Sequence, residues 1–91
     1  MMYRIDFTED AKSDIAKLKR SEPKAYKKLL QLLDELHIHP TTGIGRPKQL
    51  SEDRKGQWSR RITSKHRLVY KIEEKTIYVL VLSAYGHYAD K

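Results

Sequence analysis

The hydrophobic pattern of this chain changes period near Pro40, and that change limits the folds open to it. Before Pro40, the residues Tyr26, Leu29, Leu30, Leu33 and Leu36 recur at helical spacing, with Lys27, Lys28, Gln31 and Asp34 largely outside the stripe. After it, short runs of β-branched and aromatic residues either alternate with polar ones or stand together, as strands do. Helices gathered early and strands gathered late predict an α+β fold. An N-terminal strand and a two-helix hairpin then pack on a largely antiparallel, about five-stranded twisted sheet. With 91 residues, the chain is expected to form a single domain over 1–91.

The elements follow in order. Tyr3, Ile5 and Phe7 alternate with Arg4 and Asp6, which predicts a strand buried on one face. Thr8 is a natural N-cap, and Glu9 and Asp10 suit the positive end of a helix dipole. Ala11, Ile15 and Leu18 continue that helix. A second helix is predicted from Ser21, with Pro23 in its first turn and Pro40 as its stop. His37 and His39, two positions apart at its end, do not share a helix face and do not suggest a metal pair. The main loop is Thr41–Pro47, followed by a short extended Lys48-Gln49-Leu50 and a polar turn over Ser51–Gly56. Trp58–Ile62 and Arg67–Tyr70 read as a hairpin turning at Thr63-Ser64-Lys65, with Lys71-Ile72-Glu73 carrying the second strand onward. Thr76–Leu82 is apolar on both faces and is expected to be the central, most buried strand.

Charge is distributed unevenly. The chain carries a net charge of +7. Met1–Pro40 nearly balances, whereas Arg46–Lys71 has nine Lys/Arg against Glu52 and Asp53 alone. A positive field built by one strand-rich segment favours a polyanionic partner, with a solvated basic face as the alternative. An anionic membrane surface suits it less, because the basic stretch lacks amphipathic-helix patterning. There are no cysteines, so disulfides and thiolate metal sites are excluded, which fits a reducing cytosol. No apolar run reaches the length of a membrane span, and the polar start is not a signal peptide. A cytoplasmic location is the expectation.

The chemically useful side chains of the C-terminal half are Lys48, Arg60, Arg61, Lys65, His66, Arg67, His87 and Tyr88. The histidines lack zinc spacing, and neither Ser59 nor Ser83 has an evident relay partner. The set suits RNA cleavage without a metal. Such cleavage needs one proton removed from a ribose 2′-hydroxyl, one donated to the leaving 5′-oxygen, and charge stabilised on phosphorus. Arginine supplies fixed donors for that charge. Histidine moves protons near neutral pH, and tyrosine stacks on a base or orients the phosphate.

The segments Pro40-Thr41-Thr42-Gly43-Ile44-Gly45-Arg46-Pro47, Gly56-Gln57-Trp58-Ser59-Arg60-Arg61-Ile62, His66-Arg67-Leu68-Val69-Tyr70 and terminal His87-Tyr88 closely resemble the YoeB/Txe branch of the RelE superfamily of type II toxin–antitoxin toxins. The resemblance spans essentially the whole chain. It implies a RelE-like microbial ribonuclease fold and a ribosome-dependent endoribonuclease that cuts mRNA in the decoding site. It implies a YefM/Phd-like antitoxin, a homodimer, and contact with operator DNA only through the antitoxin complex; no cofactor and no metal are expected. By position, Arg67 matches the phosphate-stabilising arginine, His87 the general acid and Tyr88 the substrate-holding tyrosine. The family's Pro-Glu after the glycine loop is Pro47-Lys48 here. An ammonium that keeps its proton stabilises charge, and that is the role expected for Lys48, with proton acceptance as the alternative. Arg46, Arg60, Arg61, Lys65 and His66 are the expected RNA and ribosome contacts. A non-cleaving toxin of the same fold, ParE-like or catalytically lost, remains the second reading.

Overall fold

The computed structural model describes residues 2–50, 54 and 56–86. The elements are β1 (Arg4–Phe7), α1 (Glu9–Ser21), α2 (Pro23–Leu36), β2 (Lys48–Gln49), β3 (Gln57–Arg61), β4 (Arg67–Glu73) and β5 (Tyr78–Ser83). The strands form one sheet in the order β1-β5-β4-β3-β2, with β1 parallel to β5 and every other pair antiparallel. The α+β arrangement expected from the sequence is the one observed.

Local chemistry explains the boundaries. The Thr8 hydroxyl accepts from the Ala11 N–H and donates to the Leu82 carbonyl, so one side chain caps α1 and ties it to β5. Ser21 ends α1 instead of beginning α2, and the two helices meet at the single residue Glu22, with Pro23 first in α2. On α2 the buried stripe is Ala25, Leu29, Leu32 and Leu36, while Leu30 stays 43% exposed. The helix therefore sits rotated from the expected face, with Leu32 in the core where Leu30 was anticipated. Its end is fastened to β1, because the Tyr3 N–H donates to the His37 carbonyl and His37 Nδ1 lies 3.0 Å from the Tyr3 carbonyl.

Sheet order differs from expectation at one strand. β5 is flanked by β1 and β4, and β4 is the middle strand. β4 carries Leu68, Val69 and Tyr70 fully buried, even though cationic Arg67 and Lys71 lie within it. Residues 74–77 form the turn before β5, so that strand starts two residues later than the apolar run suggests.

Register divides the sheet into two faces. Trp58, Arg60, Leu68, Tyr70, Val79, Val81, Ile5 and Phe7 share the face beneath the helices. The apolar members of that face join Leu18, Leu29, Leu32 and Leu36 in one core. The opposite face carries Lys48, Ser59, Arg61, Arg67, Val69 and Lys71, with no helix over it among the described residues.

Candidate nucleic-acid interface

The basic cleft begins with a buried arginine. Arg60 faces the core by strand parity and has no exposed surface. Its Nε donates to the Tyr70 hydroxyl at 3.1 Å, and one terminal nitrogen donates to Glu35 at 2.7 Å and the Ile44 carbonyl at 3.2 Å. The other donates to the carbonyls of Thr42 at 2.7 Å and His39. Tyr70 in turn donates to the Pro40 carbonyl at 2.7 Å. One planar guanidinium thus organises the loop 39–44 from beneath, as its fork of donors allows and a lysine's would not.

Glu35 completes the clamp by accepting from both Arg60 and the Ile44 N–H. The Arg60 hydrogen bond holds its carboxyl below the usual carboxylate range, against an opposing push from burial. Burial moves the Tyr70 phenol upward, and the adjacent guanidinium only partly offsets that.

The fastened loop delivers two cations to the bare face of the sheet. The Gly45 carbonyl accepts from the Arg61 N–H at 2.6 Å, and Lys48 pairs with Ser59 in the β2–β3 ladder. Between these anchors Arg46 adopts φ 53°, a left-handed conformation that costs a non-glycine residue on the order of 1 kcal/mol and persists only where its neighbours enforce it. Arg46, Lys48, Ser59, Arg61 and Arg67 then line a cleft of about 250 Å³. Four cations around one hydroxyl make a site for a polyanion, because nothing among those lining side chains neutralises them. The Arg67 guanidinium is steadied by the Thr63 carbonyl at 3.0 Å.

Of the residues anticipated from sequence, the cleft brings together Arg46, Lys48, Arg61 and Arg67. Arg60 and His66 are corrections. Both were expected to contact RNA, and both are buried, at 0% and 3% exposure, with their polar atoms already bonded inside the protein. Lys65 is exposed in the turn after β3, 4.0 Å from Glu22, and does not line the cleft. His87 and Tyr88 lie outside the described residues. Gly86, immediately before them in sequence, has its carbonyl bonded to the Arg67 N–H at 2.9 Å. Ser59, Glu35 and Glu22 were not anticipated. Alternation of Trp58, Arg60 and Ile62 on one side and Ser59 and Arg61 on the other carried the signal for Ser59.

Fold and cleft together define a small α+β domain with a cationic cleft on the sheet face that no described helix covers. Residues 7–88 match the YoeB-like toxin of bacterial type II toxin–antitoxin systems, and the chain belongs to that family, the YoeB branch of the RelE superfamily. It is 36% identical to Toxin YoeB of Synechocystis over 85 residues, which is 93% of this chain and 96% of that protein. The YoeB/ParE toxin from Agrobacterium tumefaciens superposes with a TM-score of 0.87 at 29% identity, covering 93% of this chain and 99% of that one. The YoeB dimer from Staphylococcus aureus superposes at 0.84 and 30% identity, covering 97% and 100%. A heterotetrameric YoeB–YefM toxin–antitoxin complex from Staphylococcus aureus superposes with a TM-score of 0.80 at 30% identity, covering 97% and 100%.

Proposed function

We propose that the protein is a ribosome-dependent endoribonuclease that cuts mRNA during translation and is restrained by a YefM-like antitoxin. The observation that carries this reading is the convergence of Arg46, Lys48, Arg61 and Arg67 in one cleft, with the Arg67 N–H bonded to the Gly86 carbonyl. In the reaction, a ribose 2′-hydroxyl attacks the neighbouring phosphorus and loses its proton to a group of the RNA or ribosome. Arg67 and Lys48 hold the added negative charge on the phosphorane. His87 gives a proton to the departing 5′-oxygen, leaving a 2′,3′-cyclic phosphate and a 5′-hydroxyl. Tyr88 holds the substrate. Arg46 and Arg61 bind flanking phosphates, and Ser59 offers a hydroxyl donor at the floor of the cleft. The solved S. aureus dimer and heterotetramer support a homodimer and an antitoxin partner for this chain as well.

Lys48 favours a second reading, in which a toxin of this fold binds its target without cutting, because an ammonium stands where the family places a carboxylate. Mapping mRNA ends on translating ribosomes separates the two. Wild type is expected to generate new ends, and Arg67→Ala to reduce their formation by about 10²–10³-fold. Growth arrest by wild type with no new mRNA ends would reject the nuclease reading.

A further inference from the structure

His66 is buried between three parts of the fold, and both of its ring nitrogens are committed. The Gly86 N–H donates to Nδ1 at 2.8 Å, and a backbone amide can only donate, so Nδ1 carries no proton. The proton then resides on Nε2, which lies 2.8 Å from Glu22 Oε2 and donates to it. Glu22 is the single residue between α1 and α2, so the ring spans from the helix junction to the end of the sheet. The Tyr85 ring packs on the imidazole with centroids 4.4 Å apart, and the Lys17 ammonium caps the Tyr85 ring at 4.3 Å. The Ala84 N–H donates to Asp14 at 3.0 Å, and the Gly86 carbonyl accepts from the Arg67 N–H. Ala84 and Gly86 are therefore held through the backbone and Tyr85 through its ring, and His66 supplies the side-chain acceptor for the Gly86 amide.

We infer that His66 is a positioning residue: its unprotonated Nδ1 latches Gly86 and so holds that residue beside Arg67. The consequence for cleavage rests on the nuclease reading, since it is His87 and Tyr88 that follow Gly86. Glu22 anchors the other side of the ring through Nε2, with Lys65 4.0 Å from the same carboxylate oxygen. Arg67 touches the His66 carbonyl, Lys17 lies beyond Tyr85, and Asp14 holds Ala84.

Two amide isosteres separate the nitrogens. Asparagine in His66→Asn places an oxygen near the position of Nδ1, whereas glutamine in His66→Gln reaches toward Glu22 and leaves Gly86 without its acceptor. Amide hydrogen exchange at Gly86, followed by NMR on the full chain, reads the latch directly. Protection is expected in wild type, to persist in His66→Asn, and to be lost in His66→Gln. Single-turnover cleavage on programmed ribosomes reads its consequence. His66→Gln is expected to keep ribosome binding and lose about 10²-fold in rate, the scale on which a displacement of about 1 Å acts, while His66→Asn stays near wild type. Undiminished Gly86 protection in His66→Gln, or equal cleavage by the two variants, overturns the inference. If wild type cleaves nothing, the nuclease reading fails while the exchange profile still decides the latch.

Discussion

Replacing Arg60 by alanine removes a guanidinium that donates five hydrogen bonds inside the protein. The carbonyls of His39, Thr42 and Ile44, the Tyr70 hydroxyl and the Glu35 carboxylate all lose a donor. Breaking a buried, hydrogen-bonded pair from one side costs about 3–5 kcal/mol. Each orphaned acceptor adds up to about 1–3 kcal/mol where water cannot reach it. Thr42 and Ile44 are exposed residues, so water entering the vacated space satisfies part of the loop. The lower figure of about 3–5 kcal/mol therefore governs. That is a third or more of the total stability of a domain holding about 10 kcal/mol. For a chain of this size it corresponds to a melting point lower by on the order of 15–30 °C. Urea denaturation with thermal melts followed by circular dichroism measures it. Glu35→Gln keeps an acceptor opposite Arg60 and is expected to cost about 1–2 kcal/mol. The Arg60→Ala/Glu35→Gln double variant should then be less unstable than the sum of the two. An Arg60→Ala protein within about 1 kcal/mol of wild type would refute the clamp. So would one that melts normally but binds RNA less tightly, since that outcome belongs to a solvent-facing arginine.

Because the folded state lowers the Glu35 carboxyl below its usual value of 4.5, its stabilising contribution is complete above that pH and disappears as pH falls through the folded value. Acid denaturation curves should show a steeper acid limb in wild type than in Glu35→Gln. RNA affinity measured against salt should fall log-linearly, and Arg61→Ala and Arg46→Ala should each reduce the slope by about 1. Lys65→Ala, placed away from the cleft, should leave that slope nearly unchanged. At Lys48, single-turnover cleavage is expected to survive substitution by arginine and to drop with alanine. A glutamate variant that cleaves while the arginine variant is inactive would instead make Lys48 the proton acceptor.

Much of this architecture is legible in local residue patterns. The Thr8 cap with its acidic first turn, the hairpin around Thr63–Lys65 and the helical period before Pro40 each depend on residues within a few positions of one another. What local pattern does not carry is pairing across the chain. Nothing near Arg60 announces that Glu35, 25 positions earlier, will neutralise it, or that Glu22 will bond His66 across 44. Clustered cations in one hairpin therefore read as a single surface, although strand alternation already sends Arg60 and Arg61 to opposite faces. The same limit applies to β5. Its apolar run predicts burial, but only the pairing with β1 decides which strand is central. The cleft was more accessible than the clamp beneath it, because Arg46, Lys48, Arg61 and Arg67 reach one place through a loop and a ladder that the sequence marks.

The parallel pairing of β1 with β5 has a consequence for how the protein is made. Ile5 and Phe7 find their sheet partners only in Val79 and Val81, and Thr8, which starts α1, is also bonded to Leu82, 74 positions away. A growing polypeptide that has not reached Tyr78 holds β1 and α1 without the strand that covers them. β5 is the strand that joins the first to the rest, so the five-stranded sheet closes only once β5 has emerged. Until Ser83 has emerged, β1 lacks its one sheet neighbour, so the N-terminal strand and helix wait on residues synthesised about 70 positions later.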